Sequence, residues 1–75
     1  MPRYFFRLKN GETLMDEDGE DLVDHDAACA AAIDVFAETL PDRRALLANG
    51  GDYEVLVTDA DDGPVYSITA QGRRF

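Results

Sequence analysis

The sequence predicts an α+β fold of order ββαββ, a four-stranded antiparallel sheet (order 2-1-3-4) with one main helix packed on one face. Three observations predict it. Apolar residues alternate with period two near both ends of the chain, turn-forming residues follow these runs, and an alanine-rich stretch with helical spacing lies between them. If the first strand is central, every neighbouring pair of strands is antiparallel and the helix joins the second strand to the third.

The first strand is predicted over Arg3–Lys9, an aromatic run that suits a pleated, half-buried surface. The period of two divides it into an apolar face and a face with three cations around one phenylalanine. The apolar face consists of Tyr4, Phe6 and Leu8, and the cationic face of Arg3, Phe5, Arg7 and Lys9. Asn10-Gly11 then predicts a tight reversal into a short second strand over residues 12–15.

An acidic loop over residues 16–21, with Gly19 as its turn residue, leads to Leu22-Val23, which we expect to return to the apolar interior. A helix follows over residues 27–40, capped by Asp24 or Asp26. Helical spacing predicts a buried stripe with small alanines beside it and a polar opposite side. The stripe is Cys29, Ile33, Phe36 and Leu40, the neighbouring alanines are Ala32 and Ala37, and the opposite side is Asp26, Ala30, Asp34 and Glu38.

Pro41 predicts that the helix ends or kinks, because proline disfavours helical geometry at the preceding residue. Residues 42–47 predict a further short helical turn, whose Leu46 and Leu47 cap one end of the core, before a break at residues 49–51. The third strand is predicted over residues 53–58. The turn at 59–63 has Gly63 as its residue of positive φ, and the fourth strand (65–69) directs Tyr66 and Ile68 to the core. A basic tail, residues 71–75, is expected to fray.

Seventy-five residues predict one small domain (1–75), which buries only about 60% of the surface of its unfolded chain. The single cysteine, Cys29, excludes an internal disulfide. No stretch reaches the roughly 20 apolar residues of a membrane span, and the N-terminus lacks a signal-peptide core. We therefore expect a soluble protein of a reducing compartment, the cytoplasm.

Sixteen acidic and seven basic residues give a net charge of −9. Between Asn10 and Asp42 the chain has eleven acids and no lysine or arginine. Such a field repels phosphate backbones, which disfavours direct nucleic-acid binding. The bases are Arg3, Arg7, Lys9, Arg43, Arg44, Arg73 and Arg74.

The chain resembles a domain-of-unknown-function family of short, stand-alone bacterial proteins. The resemblance covers nearly the whole chain, and its most specific part is the opening Met-Pro-Arg-Tyr-Phe-Phe. The acidic Asp-Glu-x-Gly turn at residues 16–19, the alanine-rich helix and the Val-x-Val-Thr-Asp pattern at residues 55–59 also fit, whereas Arg7 and Pro41 depart from the family pattern. The resemblance implies a bacterial cytosolic protein, and it brings no activity, cofactor or catalytic residue.

The sequence predicts no catalytic, cofactor-binding or metal site. Neither acidic loop has the oxygen ligands of a calcium loop around its glycine, and one histidine and one cysteine do not make a zinc site. His25 is interpreted as a surface residue beside the helix cap, and Cys29 as a buried structural thiol. Serine chemistry is no better supported, because Ser67 is the only serine and His25 is the only potential base of that type.

The outer face of the sheet is the predicted site. With the register above, the apolar side chains of Phe5, Leu56 and Val65 lie together there, beside Arg3 and Arg7, and an apolar patch rimmed by charge is typical of protein-binding surfaces. Our leading hypothesis is a non-enzymatic protein-interaction module, a homodimer that uses this face or an exposed strand edge. The alternative is a nucleic-acid-associated regulatory module that uses the cations of the first strand and the tail. An enzyme ranks third, and the sequence names no small-molecule ligand.

Overall fold

The computed structural model describes residues 2–10, 13–15 and 18–75. The strands are β1 (Arg3–Lys9), β2 (Thr13–Met15), β3 (Glu20–Asp21), β4 (Asp52–Thr58) and β5 (Pro64–Gln71). The helices are α1 (His25–Thr39) and α2 (Arg44–Ala48), joined by a 3₁₀ turn (Leu40–Arg43). The predicted α+β class is confirmed.

The sheet has the predicted order, because β2, β1, β4 and β5 follow one another and every pairing is antiparallel. The two-residue strand β3 was not predicted. It lies beside the first half of β1 while β2 lies beside the second half, so the two short strands share one edge of β1. Residues 11, 12, 16 and 17, part of the predicted hairpin turn and acidic loop, lie outside the described residues. Gly19 has a positive φ of 72°, as a turn residue in that loop allows.

The core lies between the sheet and α1. Tyr4 and Phe6 of β1 are buried, and Leu8 packs against them, so the predicted inner face of the first strand is confirmed. From β4 the core receives Tyr53, Val55 and Val57, all fully buried, and burying a side chain of this size contributes about 1.5–3 kcal/mol. The inner face of β5 contributes Tyr66 and Ile68, as predicted.

The prediction of the buried stripe of α1 is wrong, because the face of the helix that is buried is rotated by part of a turn from the predicted one. Ala28 and Ala32 are the fully buried residues of the helix, whereas Ile33 is 45% exposed and Cys29 is only partly buried. The aromatic side chains of the sheet occupy the space under the helix, so the backbone of α1 approaches closely only where its side chains are small. The larger Phe36 and Leu40 pack against the core and are partly buried. The polar side of the helix is confirmed, since all four of its predicted members are exposed.

Both ends of the helical segment follow the sequence. Asp24 caps α1 by accepting a hydrogen bond at Oδ1 from the Ala27 amide, at 2.8 Å. At the other end Pro41 ends the α-helix, and the chain continues as the 3₁₀ turn and then as α2. Of the two leucines predicted to cap the core, Leu47 packs against it, whereas Leu46 is partly buried beside Gly51. Gly50, with φ of 87°, lies in the break before β4.

Two local predictions are wrong. Val23 is 67% exposed although Leu22 beside it packs against the core. In the turn before β5 the residue with positive φ is Asp62 rather than Gly63. Asp59 organises this turn, because its Oδ1 accepts hydrogen bonds from the amides of Asp61 and Gly63 at 3.0 and 2.8 Å. A Cβ atom at Gly63 would lie 2.9 Å from the Asp59 carboxylate, so close approach accounts for this glycine.

Candidate functional site

The face of the sheet away from α1 is the candidate site, and we call it the outer face. The strand register arranges its side chains in rows across the strands. The rows are Lys9–Glu54–Thr69, Arg7–Leu56–Ser67 and Phe5–Thr58, with Arg3 beside Asp21. Four of the five predicted site residues therefore lie on this face, close to one another: Arg3, Phe5, Arg7 and Leu56.

Val65, the fifth predicted site residue, does not belong to this group. It packs against the core cluster, because the ladder between β4 and β5 shifts register between Val57 and Thr58. Val57 pairs with Tyr66 and Thr58 pairs with Pro64, so Val65 is the extra residue of a β-bulge. Simple alternation places Val65 on the outer face, and a bulge cannot be read from alternation alone.

Arg3 is held against the edge strand β3. Its Nε lies 3.2 Å and its Nη2 3.3 Å from the two carboxylate oxygens of Asp21, and its Nη1 donates to the carbonyl of Asp18. The hydrogen bond and the charge of the guanidinium lower the pKa of the Asp21 carboxyl below its ordinary value of 3.8. This bidentate contact holds the start of β1 against the acidic loop, and it means that one cation of the outer face, Arg3, is already paired with a carboxylate.

Arg7 reaches from the middle of β1 to the turn before β5. Its Nη2 lies 3.4 Å from Asp62 Oδ1, and its side chain is 30% exposed, against 82% for that of Asp62. The Arg7 Nε atom is buried, and among the described residues it has no hydrogen-bond partner. The Oγ1 atom of Thr58, on the same face, is in the same situation, and Thr58 is only 2% exposed. Buried polar atoms without partners are uncommon in folded proteins.

Phe5 and Leu56 are the apolar part of the outer face, and both are partly buried. The backbone of Gly19 crowds Phe5, since a Cβ atom there would lie 2.9 Å from Phe5 Cε1 and 2.9 Å from Arg3 Cγ. The acidic loop therefore partly covers Phe5. The apolar patch is smaller than the sequence predicts, because one of its three members faces the core and another is partly covered.

Among the side chains that the structure describes, the strongly exposed large apolar ones lie elsewhere: Val23, Ile33 and Phe75. The exposure of Val23 and Ile33 was not predicted. Val23 lines an open cleft of about 460 Å³ beside the start of α1, together with Tyr4, Asp24 and His25. Only structure reveals this cleft, because it depends on how the segment before α1 lies beside the start of β1, where the Leu22 amide donates to the Pro2 carbonyl at 3.0 Å.

Tyr4 forms the inner wall of that cleft. Its ring meets the ring of His25 edge to face, with centroids 5.7 Å apart. Burial raises the pKa of the Tyr4 phenol above its ordinary value of 10.0, and the negative charges of Asp24 and Asp59 raise it further. His25 itself is exposed, as predicted.

Among the described residues, the other chemistry-bearing side chains do not converge. In the part of the chain that the structure describes, no three histidine, cysteine, aspartate or glutamate side chains are grouped as metal ligands would be. No helix among the described residues is long and apolar enough to cross a membrane. At the C-terminal end, Arg73 and Arg74 line a polar cleft of about 410 Å³ with Asn49 and Gln71, and Arg73 also stacks on Phe75.

These features define the class of protein: a small α+β chain with a helix on one face of an antiparallel sheet and an outer face on which arginines pair with carboxylates. A comparison with family models matches residues 3–71 to one described as a domain of unknown function (DUF6894), and the chain belongs to this family. Comparisons with curated proteins and with solved structures gave no match.

Proposed function

We propose that this protein is a non-enzymatic module that acts through protein–protein contact, as a homodimer that uses the outer face or an exposed strand edge of its sheet. The observation that carries the proposal is the unequal cover of the sheet. Helix α1 packs on one face, whereas no described helix lies on the outer face, and among the described strands β5 pairs with β4 alone. A further chain would complete either surface.

Size and chemistry support the same proposal. A chain of 75 residues buries a modest core, and self-association adds buried surface to a small domain. The single cysteine also fits a reducing compartment, and we include the bacterial cytoplasm in the proposal.

The nucleic-acid alternative has less support. Arg3 and Arg7, which it would use, are each paired with a carboxylate, and such pairing competes with phosphate for the guanidinium groups. The cations that remain for it are Lys9 of the first strand and Arg73 and Arg74 of the tail, in a chain of net charge −9.

The test is the mass of the protein in solution, measured by light scattering from about 1 µM to 1 mM, a range that covers weak and strong dimers. We expect twice the monomer mass of 8.3 kDa at the upper end. A monomer throughout the range contradicts the proposal.

Two variants then distinguish the candidate surfaces. Phe5→Glu adds a charge to the outer face, and Val23→Glu adds the same charge at an exposed apolar site away from it. Loss of the dimer in Phe5→Glu alone assigns the contact to the outer face. Retention in both variants, with unchanged secondary structure by circular dichroism, assigns it to a strand edge.

A further inference from the structure

We propose that a second copy of this chain pairs with the exposed edge of β5 in antiparallel orientation, so that the sheets of two chains form one continuous sheet. This inference rests on the proposed homodimer and names the surface that makes it.

The first argument is the geometry of the two sheet edges. One edge consists of β2 and β3, with three and two residues, whereas the other is β5 with eight residues. Natural proteins protect sheet edges with short strands, lysines, prolines and bulges. On β5 the proline and the bulge, Pro64 and Val65, are both at the start of the strand. The rest of the strand is regular, and no described residue pairs with its outer side.

The second argument is charge. The chain has a net charge of −9, so two copies repel one another over most of their surfaces. The eight residues of β5 include no charged side chain, although 31% of the residues of the chain are charged. Pairing along β5 therefore brings two copies together through strands that have no charged side chains to repel one another. An uncharged edge of this length fits a second β5 better than it fits a strongly charged partner.

The third argument is that β5 is complementary to itself. A two-fold axis through Ile68 uses only the regular part of the strand and places Tyr66 opposite the partner's Ala70, a large side chain against a small one. On the outer face the same register places Ser67 opposite the partner's Thr69, a hydroxyl pair of a kind that stabilises cross-strand contacts. The outer faces of both chains then become one surface.

The test uses pairs of substitutions at Ser67 and Thr69, both exposed. The variant Ser67→Lys/Thr69→Lys places lysine opposite lysine twice across the dimer, and we expect roughly tenfold or greater weakening of the dimer. Ser67→Glu/Thr69→Lys places opposite charges there and retains it, with the new lysine beside Glu54. Ala30→Lys/Ala37→Lys is the control for charge, since both alanines are exposed on α1 and added positive charge reduces the general repulsion.

Amide hydrogen exchange followed by NMR reports on the edge directly. In the dimer, alternate amides of residues 66–70 that point away from β4 become protected, and dilution below the dissociation midpoint removes this protection. A dimer that survives the double lysine change and leaves these amides unprotected overturns the β5 interface but keeps the homodimer. A wild-type protein that stays monomeric to 1 mM overturns both the homodimer and the β5 interface. Loss of the dimer in the control variant Ala30→Lys/Ala37→Lys, as well as in the double lysine variant of β5, counts against the β5 edge.

Discussion

Gly19 and Gly50 provide a matched test of how the acidic loop covers the outer face. Both have positive φ, 72° and 87°, so alanine is strained at either position. They differ in their surroundings. A Cβ atom at Gly50 would have its nearest contact at 3.9 Å, whereas at Gly19 it would lie 2.9 Å from two side-chain atoms and 3.0 Å from the Tyr4 carbonyl oxygen. The difference between the two substitutions therefore isolates the contact of the loop with β1.

We expect Gly50→Ala to lower the free energy of unfolding by about 1–2 kcal/mol, the cost of left-handed backbone geometry. Gly19→Ala carries the same cost and about 1–3 kcal/mol more, because the loop or Phe5 must move to admit the methyl group. For a domain of this size each kcal/mol lowers Tm by about 4–8 °C, so Gly19→Ala should melt clearly below Gly50→Ala.

The assay is urea unfolding followed by far-ultraviolet circular dichroism, at one fixed protein concentration so that any self-association affects all samples equally. Equal m-values are needed for the comparison. If the two alanine variants lose the same free energy of unfolding, the loop does not press on β1, and the partial cover of Phe5 inferred above is wrong.

Three further predictions concern the core and the effect of pH. Ala32→Leu should lower the free energy of unfolding by about 1–3 kcal/mol, because Ala32 is fully buried between α1 and the sheet. Ala30→Leu, on the exposed side of the helix, should change it by less than about 0.5 kcal/mol. Urea unfolding measures both variants, and equal losses contradict the observed helix face. Because the pKa of Tyr4 is raised in the folded state, Tyr4 contributes stability that is fully present below pH 10.0 and is lost as the pH rises through the folded-state pKa. Tyr4→Phe should therefore flatten the alkaline part of the plot of unfolding free energy against pH. An unchanged plot refutes the role of Tyr4 in it. Because the pKa of Asp21 is lowered in the folded state, Asp21 contributes stability above pH 3.8 that is lost as the pH falls through the folded-state pKa. In Arg3→Gln, NMR titration should show this pKa rising towards 3.8. An unchanged pKa excludes the arginine as the cause of the shift.

The strands with strict alternation were predictable from the sequence. In β1 and β4 every second residue is large and apolar, so a register error would expose the whole set, and burial selects one arrangement. The model match over residues 3–71 confirms a domain-of-unknown-function family, and the sheet order follows once β1 is central.

Features that depend on local packing were not predictable. Hydrophobicity favours Ile33 as a buried residue, but the space under α1 is filled by rings from the sheet, and the close approach selects Ala28 and Ala32. The strand β3 consists of two acidic residues with low strand propensity, and it forms where Arg3 binds Asp21. The same limit applies to the candidate site, since one unpaired residue in a bulge removed Val65 from it.

The split strand pair at the far side of the sheet limits how large any assembly can become. Strands of three and two residues offer too few backbone groups to seat another chain, while β5 offers a full strand. Among the described strands only β5 provides such an edge, so the sheet can join one other sheet and the pair then presents short strands at both ends. In the proposed β5 dimer, growth would stop at two chains with two-fold symmetry, and the fold itself would disfavour an open-ended fibre.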